Sequence, residues 1–99
     1  MQLDIVIPCF NETEVLRSTH SRVRSILEEV KKKKLIDEFN IIYVDDGSSD
    51  GTFELLDEYS QEEKFVKVIS FSKNFGHQAA LSAGLRVAEG DAVISLDAD

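Results

Sequence analysis

The chain has few cysteines that could form disulfide bonds and few basic residues that could bind a nucleic acid. Its single cysteine, Cys9, has no second thiol for an intrachain disulfide, and its place in an apolar run favours a buried residue over a catalytic thiol. Lysine and arginine number 11 against 19 aspartates and glutamates, which gives a formal net charge of -8. Because proteins bind nucleic acids largely by neutralising phosphates with cations, this balance argues against a nucleic-acid partner.

Long apolar segments and structure-breaking residues are also scarce. No apolar run approaches the roughly 18 residues of a membrane span, and the start of the sequence lacks the basic region of a signal peptide. We therefore expect the chain as written to be soluble and cytoplasmic. With 1 proline, 5 glycines and 42% hydrophobic residues, its 99 residues have the composition of one folded domain.

Short apolar runs alternate with amphipathic segments along the chain. The apolar runs predict four strands, at Leu3–Pro8, Phe39–Val44, Val66–Phe71 and Ala92–Leu96. Helical spacing predicts a long helix from Glu14 to about Lys34 with Thr13 as its N-cap, a shorter one carrying Phe53, Leu56 and Tyr59, and a small-residue helix from about His77 to Ala88. The order β-α-β-α-β-α-β predicts an α/β domain on a mostly parallel sheet.

Five carboxylates follow the ends of the predicted strands: Glu12, Asp45, Asp46, Asp97 and Asp99. Because ligands of open parallel sheets bind beyond the carboxyl ends of the strands, we expect these groups to converge at one site. Their mutual repulsion favours a divalent cation with a phosphorylated ligand between them. Two alternatives stay open: an Asx-turn at Asp45–Asp46, and a solvated strand end at Asp97–Asp99.

Five motifs occur in order along the chain: Val6–Glu12 (VIPCFNE), Val44–Thr52 (VDDGSSDGT), Asn74–Gly76 (NFG), Glu89–Asp91 (EGD) and Asp97–Asp99 (DAD). In order and spacing they resemble the nucleotide-binding half of the family 2 glycosyltransferases. The resemblance covers essentially the whole chain. The segment Ser72–Leu81 is most similar to the branch that transfers sugars to polyprenyl phosphates, which includes dolichyl-phosphate mannosyltransferases and bactoprenol glucosyltransferases.

The resemblance implies a Rossmann-like GT-A fold and a specific set of site residues. Pro8, Phe10 and Glu12 would line the nucleoside pocket, and Asp45 or Asp46 would contact the base. Near the ribose and the diphosphate would lie Asp97, with Asp99 as the main ligand of Mg²⁺ or Mn²⁺. The implied reaction is inverting transfer from a UDP- or GDP-sugar to a polyprenyl phosphate or another lipid or glycan acceptor.

The same resemblance implies that residues 1–99 are the N-terminal part of a longer enzyme. Family members continue beyond the Asp-X-Asp motif into a half that binds the acceptor and carries the catalytic base, and in this branch commonly into membrane helices. We therefore expect a fragment that binds the donor without turnover, and a full-length enzyme at the cytoplasmic face of a membrane. An exposed sheet edge makes homo-oligomerisation a further hypothesis.

Other interpretations of the same residues stay open. A non-catalytic nucleotide- or magnesium-binding module would keep the fold without the reaction. A phosphoacceptor signalling module is disfavoured, because its acidic pair would follow the first strand. His77 and Lys73 are each either a phosphate contact or a solvated residue, and His20, at the edge of the first helix's apolar stripe, is interpreted as structural.

Overall fold

A four-stranded parallel sheet with helices on both faces forms the domain. The computed structural model describes residues 1–98. Its elements are β1 (Gln2–Cys9), α1 (Thr13–Lys32), β2 (Glu38–Asp45), α2 (Thr52–Glu62), β3 (Val66–Ser70), α3 (His77–Val87) and β4 (Ala92–Ser95). The sheet order is β3-β2-β1-β4, and all three strand pairs are parallel. The predicted α/β order and parallel sheet are therefore confirmed.

The two faces of the sheet separate because neighbouring residues of a strand point in opposite directions. On one face, Ile5 and Ile7 of β1 and Tyr43 of β2 pack in a core with Leu16 of α1 and Leu56 of α2. The opposite face is covered by α3 and contains a smaller core whose buried residues are Val6, Ile42, Val44 and Ala80. The central strands β1 and β2 are thus buried on both sides, which explains their nearly continuous apolar sequences.

Two details of the predicted helices are wrong. Glu12, and not Thr13, is the N-cap residue of α1; Thr13 is the first helical residue, and its Oγ1 donates to the Asp50 carbonyl oxygen at 3.0 Å. In α2 the buried face includes Leu55, while Phe53 is 37% exposed. Leu56 and Tyr59, the other two residues of the predicted spacing, are buried, so only Phe53 departs from it.

His20 has the structural role expected from the sequence. It is buried, its Nε2 lies 2.6 Å from Glu63 Oε2, and its ring stacks on Tyr59 with centroids 3.9 Å apart. Its Nδ1 lies 2.5 Å from the hydroxyl of Tyr43, whose pKa is raised mainly by burial. Glu63 also pairs with Arg24 at 2.8 Å, so the cluster joins α1, β2 and the end of α2.

Asp4 anchors the opposite end of the sheet from the predicted site. The Oδ2 atom of this buried carboxylate accepts the backbone N–H groups of Glu89 at 2.8 Å and Gly90 at 2.9 Å. Its Oδ1 accepts from Gln2 Nε2 at 3.1 Å and Asn40 Nδ2 at 3.3 Å. The Glu89–Asp91 motif is therefore bound at the amino-terminal edge of the sheet, where it joins α3 to β4.

Close packing of α3 on the sheet depends on Gly84. A Cβ atom at this position would lie 2.3 Å from Val6 Cγ1 and 3.2 Å from Val44 Cγ2. We expect Gly84→Ala to lower the free energy of unfolding by about 1 to 2 kcal/mol in urea titrations, because the overpacking outweighs a helix-propensity gain of about 1 kcal/mol. The control Ser82→Ala, at an exposed position of α3, should leave stability nearly unchanged. A Gly84→Ala protein as stable as the wild type would refute this close contact.

Candidate functional site

A cavity opens at the carboxyl ends of β1 and β2, where the sequence predicts ligand binding. Its volume is about 390 Å³, and its lining residues are Pro8, Cys9, Phe10, Glu12, Asp46, Asn74, Gly76 and His77. Four of the six nucleotide-binding residues predicted from the sequence, Pro8, Phe10, Glu12 and Asp46, are among them. Asp45 and Asp97 are not, and Asp99 lies outside the described residues.

The three loops around the cavity supply different chemistry. The loop after β1 contributes Pro8 and Phe10, and the Phe10 side chain is 44% exposed, so its ring is available to a ligand. The end of β2 contributes Asp46, and the loop after β3 contributes Asn74 and Gly76. An exposed aromatic ring at such a site can stack on a planar base, while amide and carboxylate groups can bind its polar edge.

The Asp46 carboxylate is bound by the loop after β3. Its Oδ1 accepts the Phe75 N–H at 2.8 Å, and its Oδ2 accepts the Gly76 N–H at 3.0 Å and Asn74 Nδ2 at 3.1 Å. Only 3% of the residue is exposed. The carboxylate thus lies at the start of α3, where backbone N–H groups and the helix dipole favour an anion. The Asp46 carboxylate therefore already accepts the Gly76 N–H group, which would otherwise be free to bind a phosphate.

Asp45 is also satisfied locally. It is 2% exposed, and its Oδ1 accepts the backbone N–H of Ser48 at 3.2 Å. This hydrogen bond within the loop corresponds to the turn role that the sequence left open for Asp45–Asp46. The two neighbouring aspartates therefore stabilise two different loops: Asp45 the loop after β2, and Asp46 the loop after β3.

Gly47 lets these two loops approach each other. Its φ is +75°, and a Cβ atom would lie 2.3 Å from the Lys73 carbonyl carbon and 2.5 Å from the Asn74 nitrogen. Both neighbours are backbone atoms, so no side-chain rotation could make room. Glycine is required here both for the backbone conformation and for the contact.

Side chains join the loop after β1 to the loop after β2. Asn11 donates its backbone N–H to Ser48 Oγ at 2.8 Å, and its Oδ1 accepts the Ser49 N–H at 2.9 Å. Asp50 accepts from the Thr52 hydroxyl at 2.6 Å and from the Thr13 N–H at 3.3 Å. Hydrogen bonds to Thr13 and Thr52 lower the pKa of Asp50 to about 2, so it remains an anionic acceptor at neutral pH.

The electrostatics of the cavity favour a neutral ligand group over a phosphate. Its lining includes two carboxylates, from Glu12 and Asp46, and neither lysine nor arginine. Lys73 does not line it; the Lys73 ammonium lies 5.2 Å from the centroid of the Phe75 ring. Burial, assisted by the charges of Glu12 and Asp45, raises the pKa of Cys9 to about 12. This thiol stays protonated, as expected for a structural cysteine.

Of the four predicted carboxylates that lie within residues 1–98, only Glu12 and Asp46 line the cavity. No three His, Cys, Asp or Glu side chains of this part of the chain are grouped so as to hold a metal ion. Asp45 and Asp46 are both buried, and their carboxylates accept hydrogen bonds from backbone N–H groups of the loops. Asp97 is exposed just beyond β4, and its carboxylate accepts no hydrogen bond from the described residues. An exposed carboxylate of this kind offers the oxygen ligands that Mg²⁺ and Mn²⁺ prefer.

Sequence reasoning missed Asn74 and Gly76 as lining residues. Both belong to the Asn74–Gly76 motif of the sequence. Their place in the cavity wall depends on hydrogen bonds to Asp46, which lies almost thirty residues earlier and contacts them only in the folded chain. His77, predicted as either a phosphate contact or a solvated residue, lines the cavity. Among residues 1–98, no helix is long and apolar enough to span a membrane.

This architecture defines a doubly wound α/β domain with its ligand cavity beyond the carboxyl ends of parallel strands. The chain belongs to the family described as Glycosyl transferase family 2, whose profile matches residues 4–99. The fold is accordingly the Rossmann-like, mostly parallel arrangement of the GT-A glycosyltransferases.

Two bacterial proteins are among the relatives at the sequence level. The chain is 38% identical over 99 residues to the uncharacterized glycosyltransferase YkcC of Bacillus subtilis (strain 168), covering 100% of the chain and 29% of the relative. It is 37% identical over 99 residues to a prophage bactoprenol glucosyl transferase homolog of Escherichia coli (strain K12), covering 100% of the chain and 31% of that protein. The chain thus spans about three tenths of the length of these curated relatives.

Solved structures share the same architecture. Staphylococcus aureus TarS 1-349 in complex with UDP-GlcNAc has a TM-score of 0.75 and 25% identity, covering 100% of the chain and 27% of the TarS 1-349 chain. The mannosyltransferase PcManGT from Pyrobaculum calidifontis, in complex with GDP-Man and Mn²⁺, has a TM-score of 0.78 at 23% identity. It covers 98% of the chain and 27% of the mannosyltransferase, and at that identity it shows the shared fold alone.

Proposed function

We propose that residues 1–99 form the donor-binding part of an inverting glycosyltransferase that uses a UDP- or GDP-sugar and a divalent cation. The observation that supports this most strongly is the 390 Å³ cavity, which combines the exposed aromatic ring of Phe10 with the buried carboxylate of Asp46. In this proposal Pro8, Phe10, Glu12 and Asp46 surround the nucleoside. TarS, at 25% identity, was solved with UDP-GlcNAc, which is a ligand of the proposed class.

The diphosphate would lie outside this cavity, toward Asp97. The acidic lining around Asp46 and Glu12 repels phosphate. Asp97 is exposed just after β4, which is the strand on the other side of β1 from β2. Asp97 and Asp99 would hold Mg²⁺ or Mn²⁺. A bound cation supplies charge stabilisation to the diphosphate leaving group without requiring a proton. The chain's own residues would bind the nucleoside, orient it and keep its anionic end directed away from Glu12 and Asp46.

We propose a polyprenyl phosphate as the acceptor of the longer enzyme. This rests on the resemblance of Ser72–Leu81 and on the relative described as a bactoprenol glucosyl transferase homolog. The catalytic base and the acceptor surface would come from residues beyond 99. The 99-residue chain should therefore bind the donor without transferring the sugar.

Calorimetric titration of the chain with UDP and GDP, each with and without Mn²⁺, tests donor binding. We expect one nucleotide to bind, and Asp97→Asn to weaken the Mn²⁺-dependent binding about tenfold or more, because an anionic ligand of the cation is lost. Asp91→Asn is the matched control, since Asp91 is an exposed aspartate just before β4 and its Oδ2 accepts the Gln2 N–H at the other end of the sheet.

Two results would contradict different parts of the proposal. A folded chain that binds neither nucleotide, with or without Mn²⁺, would refute the donor site and favour a non-catalytic module. Binding that is insensitive to Mn²⁺ and to Asp97→Asn would refute the metal role while leaving the nucleoside site intact.

A further inference from the structure

Thr19 is a polar residue in the apolar stripe of α1, between Leu16 and Val23, which both pack in the core of that face. A threonine inside a helix commonly directs its hydroxyl to a carbonyl oxygen of the preceding turn. Thr19 instead donates its hydroxyl to the carbonyl oxygen of Ala98, which lies 79 residues later and just beyond β4. Because a hydroxyl has a single hydrogen to donate, this bond joins α1 to the segment after β4.

The segment after β4 leaves the sheet where its acidic residues begin. Within residues 1–98, the last backbone hydrogen bond from this segment to β1 joins the Leu96 N–H to the Val6 carbonyl oxygen at 2.9 Å. Asp97 is exposed, whereas Ala98 is 3% exposed and packs in the core on the α1 and α2 face of the sheet. Two contacts therefore hold Ala98: its methyl group in the core and its carbonyl oxygen at Thr19.

The helix that carries Thr19 is itself fixed at this position. The next residue, His20, is buried, with its Nε2 2.6 Å from Glu63 Oε2 and its Nδ1 2.5 Å from the hydroxyl of Tyr43. Its ring also stacks on Tyr59. A buried polar group whose hydrogen bonds are satisfied makes its surroundings rigid. The Thr19 hydroxyl is therefore a fixed donor, held in place by contacts of α1 with β2 and α2.

We propose that Thr19 is a positioning residue for the divalent cation: its hydroxyl fixes the Ala98 backbone, and thereby the direction in which Asp97 presents its carboxylate to Mg²⁺ or Mn²⁺. The proposal rests on the proposed metal role of Asp97 and Asp99 and deepens it. The Ala98 carbonyl belongs to the planar peptide group that leads into Asp99, so this one hydrogen bond acts on the backbone between the two acidic residues.

The test measures Mn²⁺ affinity and nucleotide affinity separately on the 99-residue chain. The Mn²⁺ dissociation constant comes from the electron paramagnetic resonance signal of free Mn²⁺, at a saturating concentration of UDP or GDP, whichever binds the wild type. Thr19→Val keeps the shape of the side chain and removes the hydroxyl, so it should raise this constant about tenfold, as loss of a group that orients a metal ligand typically does. Thr19→Ser retains the hydroxyl and should stay within about twofold of the wild type.

Nucleotide affinity without Mn²⁺ is the measurement that a merely structural role would change. By calorimetry it should be the same in the wild type, Thr19→Val and Thr19→Ser, because Thr19 does not line the cavity. Thr19→Ala removes the same hydroxyl with a stronger helix former, and it repeats the test if Thr19→Val does not fold.

Ser60→Ala is the matched control. Ser60 also donates its hydroxyl to a backbone carbonyl oxygen, that of Asp57 at 2.8 Å, from a partly buried position. Because this bond lies within α2 and does not involve the segment after β4, its loss should leave the Mn²⁺ dissociation constant unchanged.

The outcomes separate this proposal from the donor-site proposal. If the wild type binds Mn²⁺ with the nucleotide and neither Thr19→Val nor Thr19→Ala weakens it, the role of Thr19 alone is refuted. Equal losses in Thr19→Val and Thr19→Ser refute it as well, and so does a parallel loss of nucleotide affinity without Mn²⁺. A folded wild type that binds nucleotide but no Mn²⁺ refutes the metal role of Asp97 together with this proposal, and one that binds neither UDP nor GDP refutes the donor site too.

Discussion

Gly47→Ala should lower the free energy of unfolding by about 3 kcal/mol or more and abolish measurable nucleotide binding. Two costs add. An alanine at φ +75° is in the left-handed region, at a cost of about 1 to 2 kcal/mol. The new methyl group would also overlap the backbone of Lys73 and Asn74, at a cost of about 1 to 3 kcal/mol. Because Asn74 would have to move away from Asp46, the cavity wall would be lost with the stability.

Gly51→Ala separates the two costs. Gly51 also has a positive φ, +97°, but nothing lies within 4 Å of its missing Cβ. Its substitution should therefore cost only the backbone term of about 1 to 2 kcal/mol and leave nucleotide affinity intact. Urea unfolding and calorimetry on both variants make the comparison. Equal losses of stability in the two variants would show that the close approach of the two loops is not what requires glycine at position 47.

Asp4→Ala should destabilise the fold by about 3 kcal/mol, because it leaves the backbone N–H groups of Glu89 and Gly90 without their acceptor. Burial by itself raises the pKa of Asp4, but the hydrogen bonds from Gln2, Glu89, Asn40 and Gly90 outweigh it, and the net pKa lies below its ordinary value of 3.8. The contribution of the carboxylate is therefore present above about pH 4 and lost as the pH falls through the folded-state pKa.

Urea unfolding from pH 7 to pH 3 measures this dependence. The stability difference between the wild type and Asp4→Asn should be largest at neutral pH and should shrink on acidification below 3.8, the ordinary pKa of an aspartate. Asp57→Ala is the control, since its carboxylate accepts an exposed hydrogen bond from Gln61 and should contribute less than about 0.5 kcal/mol. A difference that stays constant down to pH 3 would contradict the role of the ionised Asp4 carboxylate.

Sequence reasoning predicted the fold well because its signals are local. The apolar run around Ile5 and Ile7 and the helical spacing of α1 each depend on neighbouring residues, and together they predict the βα order and the parallel sheet. The position of the cavity followed from the same order, since parallel strands end at one edge. The element bounds differ by one or two residues, as is usual where helices and strands end.

The partners of buried polar groups could not be predicted in this way. Asp4 interrupts an apolar strand, and the N–H groups that stabilise it belong to residues 85 and 86 positions later. Asp46 accepts from residues 28 to 30 positions later, so its carboxylate is held by the loop after β3. Such hydrogen bonds form only when the sheet brings distant segments together, and no residue spacing in the sequence predicts them.

The strand order has a consequence for synthesis on the ribosome. The central strand β1 ends at Cys9, and its partner β4 begins only at Ala92, roughly 80 residues later. At a translation rate of about 5 to 20 residues per second, one edge of β1 lacks its neighbouring strand for about 4 to 16 seconds. That edge presents unpaired backbone groups along Leu3–Val6, a segment that could pair with another chain. Until β4 is made, the nascent chain therefore has an open sheet edge that the completed domain covers.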